Sequence, residues 1–142
     1  MNKRRDRGLT FVTVLILLLL GGGIYWLVAY GEVYWDNQEV KTVLVQGANL
    51  AYSEPDDAKV RAFLNRKLHE MFDTEVEEHG RMIKGMKIEL DPEDLRIERT
   101  KVPAYVHIWL TYQRPVKLPL TSQVRSVTFI DHAEQDLSPV KW

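Results

Sequence analysis

Positions 9–30 form 22 consecutive residues without an Asp, Glu, Lys, Arg or His. At about 1.5 Å of rise per residue, a helix of that length covers a hydrocarbon core about 30 Å thick. The pattern therefore predicts a transmembrane helix, with Leu9, Phe11, Val14, Leu15, Leu18 and Ile24 among its anchoring side chains. Tyr25, Trp26, Tyr30, Tyr34 and Trp35 crowd the far end of the run. Their amphipathic rings favour the headgroup layer, so they are expected to form an interfacial belt. Gly21, Gly22 and Gly23 fall inside the run. In lipid the backbone cannot unpair cheaply, so the triplet is expected to stay helical, as tolerated small residues, a close-packing notch or a local bend.

Beyond the run the period stays near 3.6. Val33, Val40, Val43, Leu44, Gly47, Ala48 and Ala51 predict a juxtamembrane helix over 31–52, with Gly31 the one residue that would separate it from the span. Ser53-Glu54-Pro55-Asp56 carries helix-start chemistry, with Ser53 as the expected N-cap. The apolar positions Val60, Phe63, Leu64, Leu68, Met71 and Phe72 make one stripe of a second helix, and Gly80 is read as ending it or the connection after it. The charged stretch with Asp73, Glu75, Glu77 and Glu78 reads as a solvated loop.

After Gly80 the period falls to two. Four strands are expected at 86–90, 95–100, 105–113 and 124–131, with Arg114-Pro115 ending or turning the third. That third strand alternates Val106, Ile108, Leu110 and Tyr112 with Tyr105, His107, Trp109 and Thr111, which marks it as central in the sheet. The predicted fold class is α+β: an N-terminal transmembrane helix, then a small domain of one or two helices packed on a mainly antiparallel sheet of about four strands. The expected divisions are a basic tail at 1–8, the span at 9–30, the juxtamembrane helix at 31–52, the α+β domain at 53–131 and a polar tail at 132–142.

Charge orients this plan. Lys3, Arg4, Arg5 and Arg7 stand against Asp6 before the span, leaving 15 of the 19 Lys and Arg against 19 of the 20 Asp and Glu after it. A basic flank is retained on the cytoplasmic side, so the N-terminus is expected inside and the domain outside, in the periplasm or beyond. The apolar run exceeds the 7–15 residues of a secretory signal, and Ala29-Tyr30-Gly31 is a poor cleavage site. The chain has no cysteine, so disulfides and thiolate ligands are excluded.

Candidate chemistry is sparse. His69, His79, His107 and His132 are far apart in sequence, and His69-Glu70 lacks the second histidine of H-E-x-x-H because Asp73 stands there. Ser53, Ser122, Ser126 and Ser138 lie in no nucleophile elbow, and no phosphate loop or calcium loop is present. The expectation is a non-enzymatic protein without cofactor, metal or nucleic-acid partner, whose partners are the lipid bilayer and other envelope proteins. Tyr105, His107 and Trp109 form the candidate contact face, the competing reading being core packing beneath a helix.

Two resemblances bear on this. Arg7-Gly8-Leu9-Thr10-Phe11-Val12-Thr13-Val14-Leu15 is similar to the start of type IV pilins and pseudopilins, where a basic leader ends in Gly before a long apolar helix. That likeness implies processing after Gly8, although Thr13 stands where those proteins usually carry Glu. Most of the chain also resembles a family of short, uncharacterised bacterial single-pass membrane proteins. The matching residues are Arg7-Gly8-Leu9-Thr10, Tyr34-Trp35, Val40-Lys41, the segment 64–72, Asp91-Pro92-Glu93-Asp94-Leu95-Arg96-Ile97 and Tyr112-Gln113-Arg114-Pro115-Val116. This second likeness implies a location and an architecture but no activity. The leading expectation is an inner-membrane protein with a structural or interaction role in the cell envelope. The alternatives are a pilin-like subunit and a secreted small protein released near Gly31.

Overall fold

A computed structural model describes residues 5–139, with side chains over 10–139. Leu9 and Val140, Lys141 and Trp142 fall outside the residues whose side chains are described. Helix α1 (Arg5–Ser53) is one uninterrupted rod, so neither the Gly21-Gly22-Gly23 triplet nor Gly31 breaks it. Its two halves have different surroundings. Every described side chain from Thr10 to Val28 is exposed. From there Ala29, Val33, Asn37, Val40, Leu44, Ala48 and Ala51 are buried in steps of four and three, which places them on one stripe.

Helix α2 (Asp57–Phe72) covers part of that stripe with Val60, Leu64, Leu68 and Phe72. Its N-cap is Asp56, whose carboxylate accepts from the Ala58 N–H at 2.9 Å, rather than the expected Ser53. Pro55 explains the shift. It biases Glu54 away from helical backbone, so Ser53 closes α1 and its hydroxyl donates to the Leu50 carbonyl. The two helices approach closely at Gly47, where a Cβ would lie 2.5 Å from Leu64 Cδ2.

The charged stretch after α2 is not a loop. Strands β1 (Asp73–Glu78) and β2 (Arg81–Met86) form an antiparallel hairpin, with Glu75 opposite Lys84, Val76 opposite Ile83 and Glu78 opposite Arg81. His79 and Gly80 both have positive φ, as a two-residue type I′ turn requires, so Gly80 makes a hairpin turn rather than ending a helix. The strand expected at 86–90 is displaced accordingly. Of its residues Met86 ends β2, and Glu89 makes only an isolated bridge to Gln113.

The second sheet runs in the order β3-β4-β5, with β3 (Leu95–Lys101), β4 (Ala104–Lys117) and β5 (Val124–Asp136) antiparallel throughout. The fold is α+β, with β4 central as its two-sided pattern predicts. Two bounds differ from expectation. β4 passes through Arg114-Pro115 instead of ending there, and Pro115 sits opposite Ser126. Gln113 exchanges both backbone hydrogen bonds with Glu89, so two residues on the Pro115 nitrogen points to that same side, past the end of β3, and costs the ladder no bond. β5 runs on to Asp136, so 132–136 is strand and not loose tail.

Candidate functional site

Two arginines lock the sheet to α1. Near its middle, Arg114 on β4 is 6% exposed and donates to Asp36 through Nη1 and to Glu32 Oε1 through Nη2 at 3.2 Å. Its guanidinium also lies over the Phe72 ring, 5.7 Å from the centroid. At the far end Arg99 donates to Asp57 Oδ1 at 2.7 Å, to the Ala51 carbonyl at 3.2 Å and to the Glu54 carbonyl at 2.8 Å. A cation there complements the negative end of a helix that has no basic residue in its own last turn.

Between the clamps lies a buried polar group. Tyr112 donates to Asn37 Oδ1 at 2.9 Å, and desolvation pushes its hydroxyl far above the ordinary phenol range, helped by the charge of Asp131. Asp131 is itself 4% exposed, and its Oδ2 has no hydrogen-bond partner among the described residues. Burial raises its carboxyl above the ordinary range, while Lys41 and the Asn37 side chain pull it down. The folded state thus holds this proton more tightly than the unfolded state. The stability this group contributes is complete below the unfolded carboxylate value, near 4, and is lost as pH rises through the raised folded value. Asp131→Asn is accordingly expected to be about 1 kcal/mol more stable than the parent at pH 7. The gain should shrink toward pH 3.5, as followed by chemical denaturation at both pH values.

The helices cover one face of the three-stranded sheet and leave the other open. Tyr105, His107 and Trp109 lie on the open face, half-buried by their neighbours, so the competing reading of packing beneath a helix does not hold. Register puts Glu98, His107 and Glu134 in one cross-strand row and Arg96, Trp109 and His132 in the next. Trp109 stacks on His132 with centroids 3.8 Å apart, whereas His132 and His107 lie edge to edge with centroids 5.3 Å apart, and the Tyr105 ring is 6.1 Å from that of His107. His107 Nδ1 is 3.1 Å from His132 Nε2 and 3.5 Å from Glu134 Oε2.

No family model, curated protein or solved structure matches this chain. Geometry alone therefore ranks its surfaces. Two open depressions of about 470 and 490 Å³, one including Tyr52, Asp136 and Ser138 and the other Lys59, Phe63 and Arg66, bring no histidine beside a hydroxyl. Among the described residues, the open sheet face brings two histidines and a glutamate together beside Trp109 and Tyr105.

The sequence-predicted anchor residues Phe11, Val14, Leu15, Leu18 and Ile24 are all exposed, on the one helix among the described residues that is long and apolar enough to cross a membrane. The aromatic belt divides. Tyr25, Trp26, Tyr34 and Trp35 are exposed, Tyr34 meeting Phe129 edge-on at 5.7 Å, whereas Tyr30 is half-buried against the core. Tyr25 also donates to the Pro119 carbonyl at 3.0 Å, which holds the β4–β5 turn beside the end of the apolar run. On that turn Leu120 is 99% exposed.

Sequence reasoning missed His132 and Glu134 as partners of His107 because it ended the last strand at Asp131. The alternation Phe129, Asp131, Ala133 continues the buried face, but a carboxylate at its centre disguises the pattern.

Proposed function

We propose that this chain is a single-pass inner-membrane protein with its N-terminus in the cytoplasm and its α+β domain outside, serving an interaction role in the envelope through the open sheet face. The observation that carries this reading is the division of α1. From Thr10 to Val28 it exposes an uncharged, mainly apolar surface, and its second half is the spine of the folded domain. The charge asymmetry across the apolar run supplies the orientation. The exposed Leu120, held beside Tyr25 at the end of that run, fits a turn that rests on the headgroup layer.

The absence of cysteine makes the test clean. Single-cysteine variants Asn2→Cys and Ser122→Cys are treated in intact cells with a membrane-impermeant maleimide. Ser122→Cys is expected to label before lysis and Asn2→Cys only after it; the reverse pattern overturns the orientation, and labelling of both refutes the span. The intact mass of the purified chain decides the second reading, a pilin-like subunit, which the unbroken run of the apolar helix into the folded domain favours. A start at Leu9 establishes that reading, and a start at Met1 or Asn2 removes it.

A further inference from the structure

The geometry points to a binding site for a divalent transition-metal ion of the zinc class, formed by His107 Nδ1, His132 Nε2 and Glu134 on the open face of the β3-β4-β5 sheet. One ligand atom from each of the three residues falls within 4.8 Å of the others. Two donors on a tetrahedral ion with bonds of about 2.0–2.1 Å stand about 3.3 Å apart. The observed separations of 3.1 Å for the nitrogen pair and 3.5 Å for His107 and Glu134 bracket that value. Seating an ion requires the two imidazoles, which face each other nitrogen to nitrogen, to turn so that both lone pairs converge on it.

The donors come from the two longest strands of the fold, which are paired along their whole length. Stacking on Trp109 restricts the His132 ring, so ordering it on binding costs less entropy. Glu98 across the strand from His107, and Asp136 opposite Tyr105, add negative charge around the site, with Arg96 the basic neighbour. Two imidazoles and a carboxylate suit zinc, copper or nickel and not calcium or magnesium, which take oxygen ligands. With three protein ligands a fourth position stays open to water or to a group from a docking partner. In the ion-free protein the short nitrogen–nitrogen distance is a hydrogen bond, so one of the two nitrogens carries a proton. To ligate, that imidazole takes the tautomer with its proton on the other ring nitrogen, and because protons compete with the ion for both imidazoles the affinity falls as pH is lowered.

This site does not depend on the membrane reading, because the test uses the purified full chain in mild detergent. After metal removal, titration with Zn²⁺ followed by calorimetry is expected to show one equivalent bound per chain. The affinity should fall about tenfold or more in His107→Ala, in His132→Ala and in Glu134→Gln, and should be unchanged in His69→Ala, which alters the separate His69–Asp73 pair. Glu134 is more than half exposed, so Glu134→Gln carries the test even where a histidine variant folds poorly. Zn²⁺ bound equally well by the parent, Glu134→Gln and His132→Ala, or not bound by the parent, overturns the site and leaves a hydrogen-bonded histidine pair.

Discussion

Arg114→Ala is expected to destabilise the folded domain by about 3 kcal/mol, because it strips the partner from Asp36 and opens a space against the Phe72 ring. The loss is larger than a surface ion pair allows. Removing Arg66, whose contact with Glu70 is solvent-exposed, should change stability by less than about 0.5 kcal/mol. Arg114→Lys is expected to recover only part of the deficit, since an ammonium cannot reach Asp36 and Glu32 with the same planar fork. Urea denaturation of the full chain in detergent, followed by tryptophan emission, ranks the three variants. If Arg114→Ala and Arg66→Ala shift the midpoint alike, Arg114 does not clamp the sheet to α1.

Gly31 gives the second large effect and separates two substitutions that differ only in backbone chemistry. A Cβ at Gly31 would meet nothing within 4 Å, so Gly31→Ala should raise stability by about 0.5–1 kcal/mol through helix propensity alone. Gly31→Pro removes a hydrogen bond from the helix interior and drives its ring into the Leu27 carbonyl, at a cost of about 3 kcal/mol or more. Spin labels on Leu17→Cys and Val45→Cys read the geometry. A single narrow distance is expected in the Gly31→Ala background and a broadened one with Gly31→Pro. Equal distributions in the two would mean that the rod is already jointed there.

Much of this fold was legible from periodicity. The apolar stripe of α2, the central position of β4 and the α+β class follow from the 3.6 and 2.0 repeats, because burial on one face is what both helix and strand need. The errors at the ends of β4 and β5 share one cause, which is a polar residue doing structural work at a place the pattern reserves for an apolar one. Asp131 on the buried face of β5 hid the last third of that strand, and with it His132 and Glu134. Arg114 on the buried face of β4, followed by Pro115, looked like a terminus. In β1 the residues Asp73, Glu75, Glu77 and Glu78 are charged, so composition masked a hairpin that His79-Gly80 signals through its turn. His107, Trp109 and Tyr105 were picked out by their placement on one face of one strand. Their partners lay 25 residues away in sequence or on a neighbouring strand, which no spacing rule reaches.

The seamless α1 also makes the domain a lever. Bilayer helices tilt by about 20° on average, and over the roughly 35 Å of α1 beyond Ala29 such a tilt swings the far end sideways by about 12 Å. Because Arg114 and Arg99 bolt the sheet to that rod at two heights, the histidine–tryptophan face travels with it instead of trailing on a tether. On the proposed membrane reading, the exposed turn at Leu120, tied to Tyr25, would meet the headgroup layer on one side of the rod. Changes in bilayer thickness would then be converted into the azimuth and height at which the open face meets whatever lies across from it.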